Sequence, residues 1–77
     1  MNTRNDQRHA ADVCREHGWR AGTRLVGSNG FGTTVIEITA LGDHVMLART
    51  ISQNGEPAAY GQDRSWRLSD RDWHEAA

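Results

Sequence analysis

The 77-residue chain has no lysine, and its nine basic residues are all arginine. It has one cysteine, Cys14, so an internal disulfide is excluded and a reducing compartment is indicated. No segment approaches the roughly 20 apolar residues a helix needs to cross a bilayer. Residues 1–6 lack the apolar core of a signal peptide. A cytoplasmic location without membrane contact is therefore expected. Neither sign of charge dominates: the net charge is −1, which sets no strong field and points to no class of partner. Repeats, low-complexity tracts and linkers are also missing, and the length suffices for one domain.

These absences bear on stability. A chain this short buries only about 60% of its unfolded surface. Small folds usually add a disulfide, a metal or a partner chain. With the disulfide excluded, a homodimer is one expected remedy, twofold pairing being the commonest closed assembly. The missing lysine has two explanations. A GC-rich genome favours arginine codons, whereas a surface built for bidentate and stacking contacts favours the guanidinium itself. Complete absence of lysine fits the genomic bias better.

The patterning that is present begins with a helix over about 5–17. Ala10, Val13, Cys14 and His17 recur on one helical face. Asn5 or Asp6 can cap its start, and Gly18 stands where a left-handed C-cap belongs. The apolar stripe is narrow, so this helix must dock on the rest of the chain to persist.

From Trp19 the period falls to two. Thr23–Val26 reads as a strand, and Thr33–Leu41, rich in β-branched residues, as a stronger one. Alternation there puts Ile36, Ile38 and Ala40 on one side and Val35, Glu37 and Thr39 on the other. Gly42-Asp43 reads as a two-residue hairpin turn leading into a returning strand over His44–Ile51. Ser65–Leu68 reads as a further strand, with Trp66 and Leu68 on one face. Ser69–Asp72 reads as a capped helical turn before Trp73. Strands this few and short suit a small bent antiparallel barrel, which removes exposed edges. An open antiparallel sheet with the helix packed across it is the alternative. The expected division is a tail and helix over 1–17 and a small mainly-β barrel over 18–77, together one folded unit.

Several segments carry a resemblance: Gly18-Trp19, Gly22-Thr23-Arg24-Leu25, Gly32–Ile36, Ile38–Gly42, Leu47-Ala48-Arg49, Trp66–Ser69 and Arg71-Asp72-Trp73. Over about 18–73 the chain resembles small uncharacterised proteins of actinobacteria and their phages. The resemblance implies an SH3-like barrel and carries over no catalytic residue.

Chemistry-bearing constellations are sparse. Cys14-x-x-His17 places a thiol and an imidazole on one helix face. A structural zinc site needs four such ligands, and His44 and His74 stand apart without a second pair. As a nucleophile and base the pair lacks an orienting group and an oxyanion hole. The expected role of Cys14 is a buried thiol between helix and sheet, with no metal and no cofactor. The glycine-rich run Gly27–Gly32 lacks the Gly-Lys-Ser/Thr ending of a phosphate-binding loop. It contains the bare Gly-x-x-Gly of an RNA-clamping loop, but between strands and without charge. A turn at Asn29-Gly30 with Phe31 folded back as a plug is the simpler reading.

Two features remain as candidate binding elements. Ser52–Arg64 is a loop of about a dozen residues, long for so small a domain. It carries Asn54-Gly55, Pro57 and Tyr60. Three tryptophans, Trp19, Trp66 and Trp73, serve a core well, yet a half-exposed one would suit a peptide or nucleic-acid groove. The candidate binding residues are therefore Tyr60, Arg64, Trp66, Arg67, Arg71 and Trp73. The expected function is a non-catalytic protein-interaction module with a protein partner, acting in the host cytoplasm as an accessory factor if phage-encoded. The alternative is a nucleic-acid-binding barrel using Arg24, Arg49, Arg64, Arg67 and Arg71 beside aromatics. An arginine-and-tryptophan surface free of Asp and Glu would favour nucleic acid, and an apolar patch would favour protein.

Overall fold

The computed structural model describes residues 7–28, 30–58 and 61–76. Its elements are α1 (Ala10–His17), β1 (Arg24–Ser28), β2 (Thr33–Leu41), β3 (Met46–Gln53), β4 (Glu56–Pro57), β5 (Arg64–Trp66) and β6 (Asp72–Glu75). The six strands form one antiparallel sheet in the order β4-β3-β2-β1-β6, with β5 also paired to β3. The fold is mainly β with one short helix. Strand pairing ends at β6 on one side and at β4 and β5 on the other, so the sheet is open among the described residues.

α1 is shorter than its periodicity suggests. Gln7–His9 is not helical, and the expected caps Asn5 and Asp6 lie outside the described residues. His9 precedes the first turn without a side-chain cap, and its carbonyl accepts from the amides of Asp12 and Val13. The helix ends as the glycine signal predicts. Gly18 adopts φ 77°, its amide donates to the Arg15 carbonyl, and the Trp19 amide donates to the Cys14 carbonyl at 2.8 Å. That pair of bonds satisfies carbonyls a helix end leaves open and turns Trp19 into the core. Ala10, Ala11, Val13 and Cys14 are buried. The turn after β2 holds the helix from outside: Arg15 donates to the carbonyls of Gly42 and Asp43, and the Ala11 amide donates to that of His44.

β2 spans the predicted Thr33–Leu41. Thr34, Ile36 and Ile38 point inward as alternation requires, but Ala40 is exposed. The register slips between Ile38 and Ala40, where β2 advances two residues against one on β3. A bulge of this kind reverses the facing of everything beyond it. A second slip between Val35 and Ile36 places the extra residue, Ile51, on β3. The β2–β3 turn centres on Asp43-His44, one residue later than the glycine indicates. Leu41 pairs with Met46, and the Gly42 amide donates to the Val45 carbonyl at 2.8 Å.

The presumed long loop is partly structured. β3 runs to Gln53, and Asn54-Gly55, with φ 53° and 85°, form a two-residue hairpin into β4. Positive φ at both central residues matches the twist of the flanking strands. The helical turn expected at Ser69–Asp72 is replaced by bends over 68–71 and strand β6. The competing interaction is the ladder of β6 with β1, which aligns Trp73 with Gly27 and Asp72 with Ser28.

The core joins α1 to the sheet. Val13, Leu25, Ile36, Ile38, Met46 and Leu68 are each almost wholly buried, and Trp73 is their largest companion. Fully burying an aliphatic side chain of this size contributes about 1.5–3 kcal/mol. No helix among the described residues is long and apolar enough to cross a membrane.

Candidate functional site

The strand and loop geometry brings side chains of four chemical kinds, aromatic, hydroxyl, amide and guanidinium, to one cleft of about 270 Å³. Its lining includes Phe31, Thr34, Gln53, Asn54, Arg64, Trp66 and Arg71, and no carboxylate among the described residues. β5 contributes Arg64 and Trp66, two residues apart and hence on one face. The Arg64 guanidinium lies over the Trp66 ring, 4.1 Å from its centroid. Cation–π attraction of this kind contributes about 0.5–1 kcal/mol at an exposed site. Arg64 makes no ion pair among the described residues.

Trp66 is half-buried and held at both ends. Its indole N–H donates to the Ala48 carbonyl at 3.1 Å, and its ring meets Trp73 edge-on. Trp73 itself is 1% exposed, so it supports the site and cannot touch a ligand. Its place in the candidate set is corrected on that ground. A tryptophan this large in so small a sheet fills the core. Arg71 lies over the Trp73 ring at 5.4 Å, donates to Thr34 Oγ1 at 3.2 Å and has Asp70 at 3.6 Å. Arg71 lines the same cleft as Arg64.

Arg67 is exposed on the far side of Trp66, beside a second hollow of about 550 Å³ that Trp66 also lines. That hollow includes Arg8, His9, His44 and Ser65, again without a carboxylate in its lining. Arg8 is paired with Glu16, and the His9 and His44 rings lie 4.3 Å apart. Tyr60 lies outside the described residues. Arg24 and Arg49 take no part in either hollow. Both pair with Glu37, which stands between them in register on β2, at 3.4 and 2.8 Å. Hydrogen bonding from Arg49, reinforced by Arg24, holds the Glu37 carboxyl below its ordinary pKa despite partial desolvation.

Phe31 does not fold back as the expected plug. It is 97% exposed and stands at the mouth of the cleft rather than plugging the core. Gly30 at φ 89° turns the loop outward, and β1 pairs with β2 directly below it through Ser28 and Thr33. The core is already filled by Trp73 and Leu25. A usable signal was present: an aromatic flanked by glycines has no apolar neighbour at strand spacing. Asn54 does more than form the turn its sequence predicts. Its side-chain oxygen accepts from the Thr33 amide at 2.9 Å and its own amide donates to the Thr33 carbonyl at 2.7 Å, which pins the β3–β4 hairpin beside the cleft.

Cys14 and His17 do not act together. The Cys14 thiol is buried and donates to Met46 Sδ at 3.3 Å, while the His17 ring stacks on Trp19 at 4.4 Å. Burial pushes the thiol up to about 11, with Arg15 opposing weakly, so it is protonated at neutral pH.

A family model described as a domain of unknown function matches residues 8–77. No curated protein and no solved structure matches the chain.

Proposed function

Because the chain belongs to the DUF7241 family, a domain of unknown function, its role must be argued from its own site, and we propose a non-catalytic binding module that takes an anionic ligand in the cleft at Arg64 and Trp66. One observation carries this reading: a cationic guanidinium is stacked on a half-buried indole in a cleft whose lining contains no carboxylate among the described residues. A guanidinium so placed is pre-organised, and little rotamer freedom is lost when an anion binds it. The non-catalytic part rests on Cys14. The one thiol that sequence reading offered as a nucleophile is buried and protonated.

The test is retention on a sulfated-polysaccharide column at low salt. The wild-type chain should elute later than Arg64→Ala, because the substitution removes a cation of the cleft that makes no ion pair among the described residues. Equal elution of the two would overturn the reading.

A protein partner is the second reading, and the near-complete exposure of Phe31 favours it. A pull-down with and without nuclease separates the two. The resemblance to small proteins of actinobacteria and their phages supports an accessory role in a host cytoplasm. It also supports taking the six-stranded sheet as an SH3-like barrel, for which the Trp66–Trp73 contact between strands at opposite ends of the sheet speaks.

A further inference from the structure

Resting on the anionic-ligand reading above, we propose that the ligand is a single-stranded nucleic acid, one base stacking on Phe31 while the phosphates on either side are held by Arg64 and Arg71. Three features of the face point there. The first is an exposed π surface beside cations: Phe31 shares the cleft with both arginines. Stacking platforms next to basic grooves are how proteins hold unpaired bases without reading their sequence. The second is the polar lining. Thr34, Gln53 and Asn54 supply donors and acceptors of the kind that meet base edges and sugar hydroxyls. The third is continuity. Trp66 lines both this cleft and the second hollow, where Arg67 is exposed. A chain-like ligand can cross Trp66 from Arg64 to Arg67, whereas a mononucleotide fills one hollow only.

The alternatives fit less well. A duplex requires a broad cationic surface, and this chain has a net charge of −1 with Arg24 and Arg49 tied to Glu37. An acidic peptide would satisfy the arginines and make no use of the exposed Phe31 ring. An apolar protein surface would meet a cleft lined chiefly by polar groups.

The charge count sets the salt dependence. Two phosphates neutralised at Arg64 and Arg71, or three where the strand reaches Arg67, give a slope of log K against log salt of about −1.4 to −2.1. Loss of one base–aromatic stack lowers affinity roughly five- to a hundredfold.

The experiment is fluorescence anisotropy on the full chain with four labelled probes: a 12-nucleotide dT strand, an abasic strand of equal phosphate number, a duplex and a polyglutamate peptide. The dT strand should bind tightest with the shallow slope given above. Phe31→Ala should weaken the dT strand at least fivefold and leave the abasic strand unchanged. Arg64→Ala should weaken both. Both substituted side chains are exposed, and circular dichroism checks that each variant is folded. Equal binding of the abasic and dT strands overturns the stacked base and leaves the anionic cleft standing. Polyglutamate binding above dT in an Arg64-dependent manner makes the ligand a protein and overturns the nucleic acid. No Arg64-dependent binding of any probe overturns both readings.

Discussion

Trp66 of β5 and Trp73 of β6 meet edge to face, with ring centroids 5.8 Å apart and planes at 85°. Their strands are not hydrogen-bonded neighbours: β5 pairs with β3 and β6 with β1. The contact therefore ties together strands at the two ends of the sheet through side chains alone. It also links the core to the cleft, since one ring is buried and the other carries Arg64.

The two tryptophans should differ in what they cost to remove. Trp73→Ala should destabilise by about 3–5 kcal/mol, the usual cost of truncating a buried aromatic. At about 0.05–0.15 kcal/mol per residue, 77 residues amount to about 4–12 kcal/mol in total. Trp73→Ala should thus remove a large share of the total, and Trp66→Ala should cost less because that ring is half-buried. Urea denaturation of both variants measures the order. Equal costs, or a larger loss at Trp66, would mean that core and site residues have been exchanged.

Gly27 faces Trp73 across the β1–β6 ladder, and a Cβ placed there would lie 2.6 Å from the Trp73 ring and 2.7 Å from Arg71 Cδ. Gly27→Ala should therefore destabilise by about 1–3 kcal/mol, as overpacking does, even though alanine suits a strand better than glycine. A neutral or stabilising Gly27→Ala in thermal unfolding would show that the ring has room to move.

The Cys14 thiol should react slowly with a polar disulfide reagent in the native state and rapidly in denaturant. It is fully buried against Met46 and its pKa is raised to about 11, so thiolate is scarce at neutral pH. Native reaction as fast as denatured reaction would contradict the docking of α1 on the sheet.

Glu37 should make the fold sensitive to acid. Its carboxyl titrates below the ordinary value in the folded chain, chiefly through hydrogen bonding from Arg49. The folded state thus binds a proton less readily than the unfolded state. The stabilisation is fully present above the unfolded pKa and is lost as pH falls through the folded one. Glu37→Gln should lose stability at neutral pH and show a flatter stability profile across the acid limb. An unchanged acid limb in pH-dependent urea midpoints would mean that Arg24 and Arg49 do not hold Glu37 in solution.

Local signals were read most faithfully where one interaction dominates. The β-branched run of β2 gave both of its ends, and Gly18 gave the end of α1, because φ 77° is cheap only for glycine. The candidate set drawn from the chain included Arg64, Trp66 and Arg71, which the fold brings to one cleft. It also included Trp73, which the fold buries, and it overlooked Phe31, which the fold exposes.

Composition and period by themselves determined the mainly-β class, the docked N-terminal helix and the lack of a second cysteine for cross-linking. Those properties depend on residues near one another in the chain, or on counts. Tertiary structure alone decided the facing of Ala40, the strand conformation of Asp72–Glu75 and the convergence of Phe31 with Arg64. Each depends on a partner distant in sequence. The slip between Ile38 and Ala40 is defined by β3, β6 extends because β1 offers a ladder, and Phe31 turns outward where Trp73 and Leu25 fill the core. A period read along one strand contains no term for the register of its neighbour, so these choices are made only when the sheet assembles.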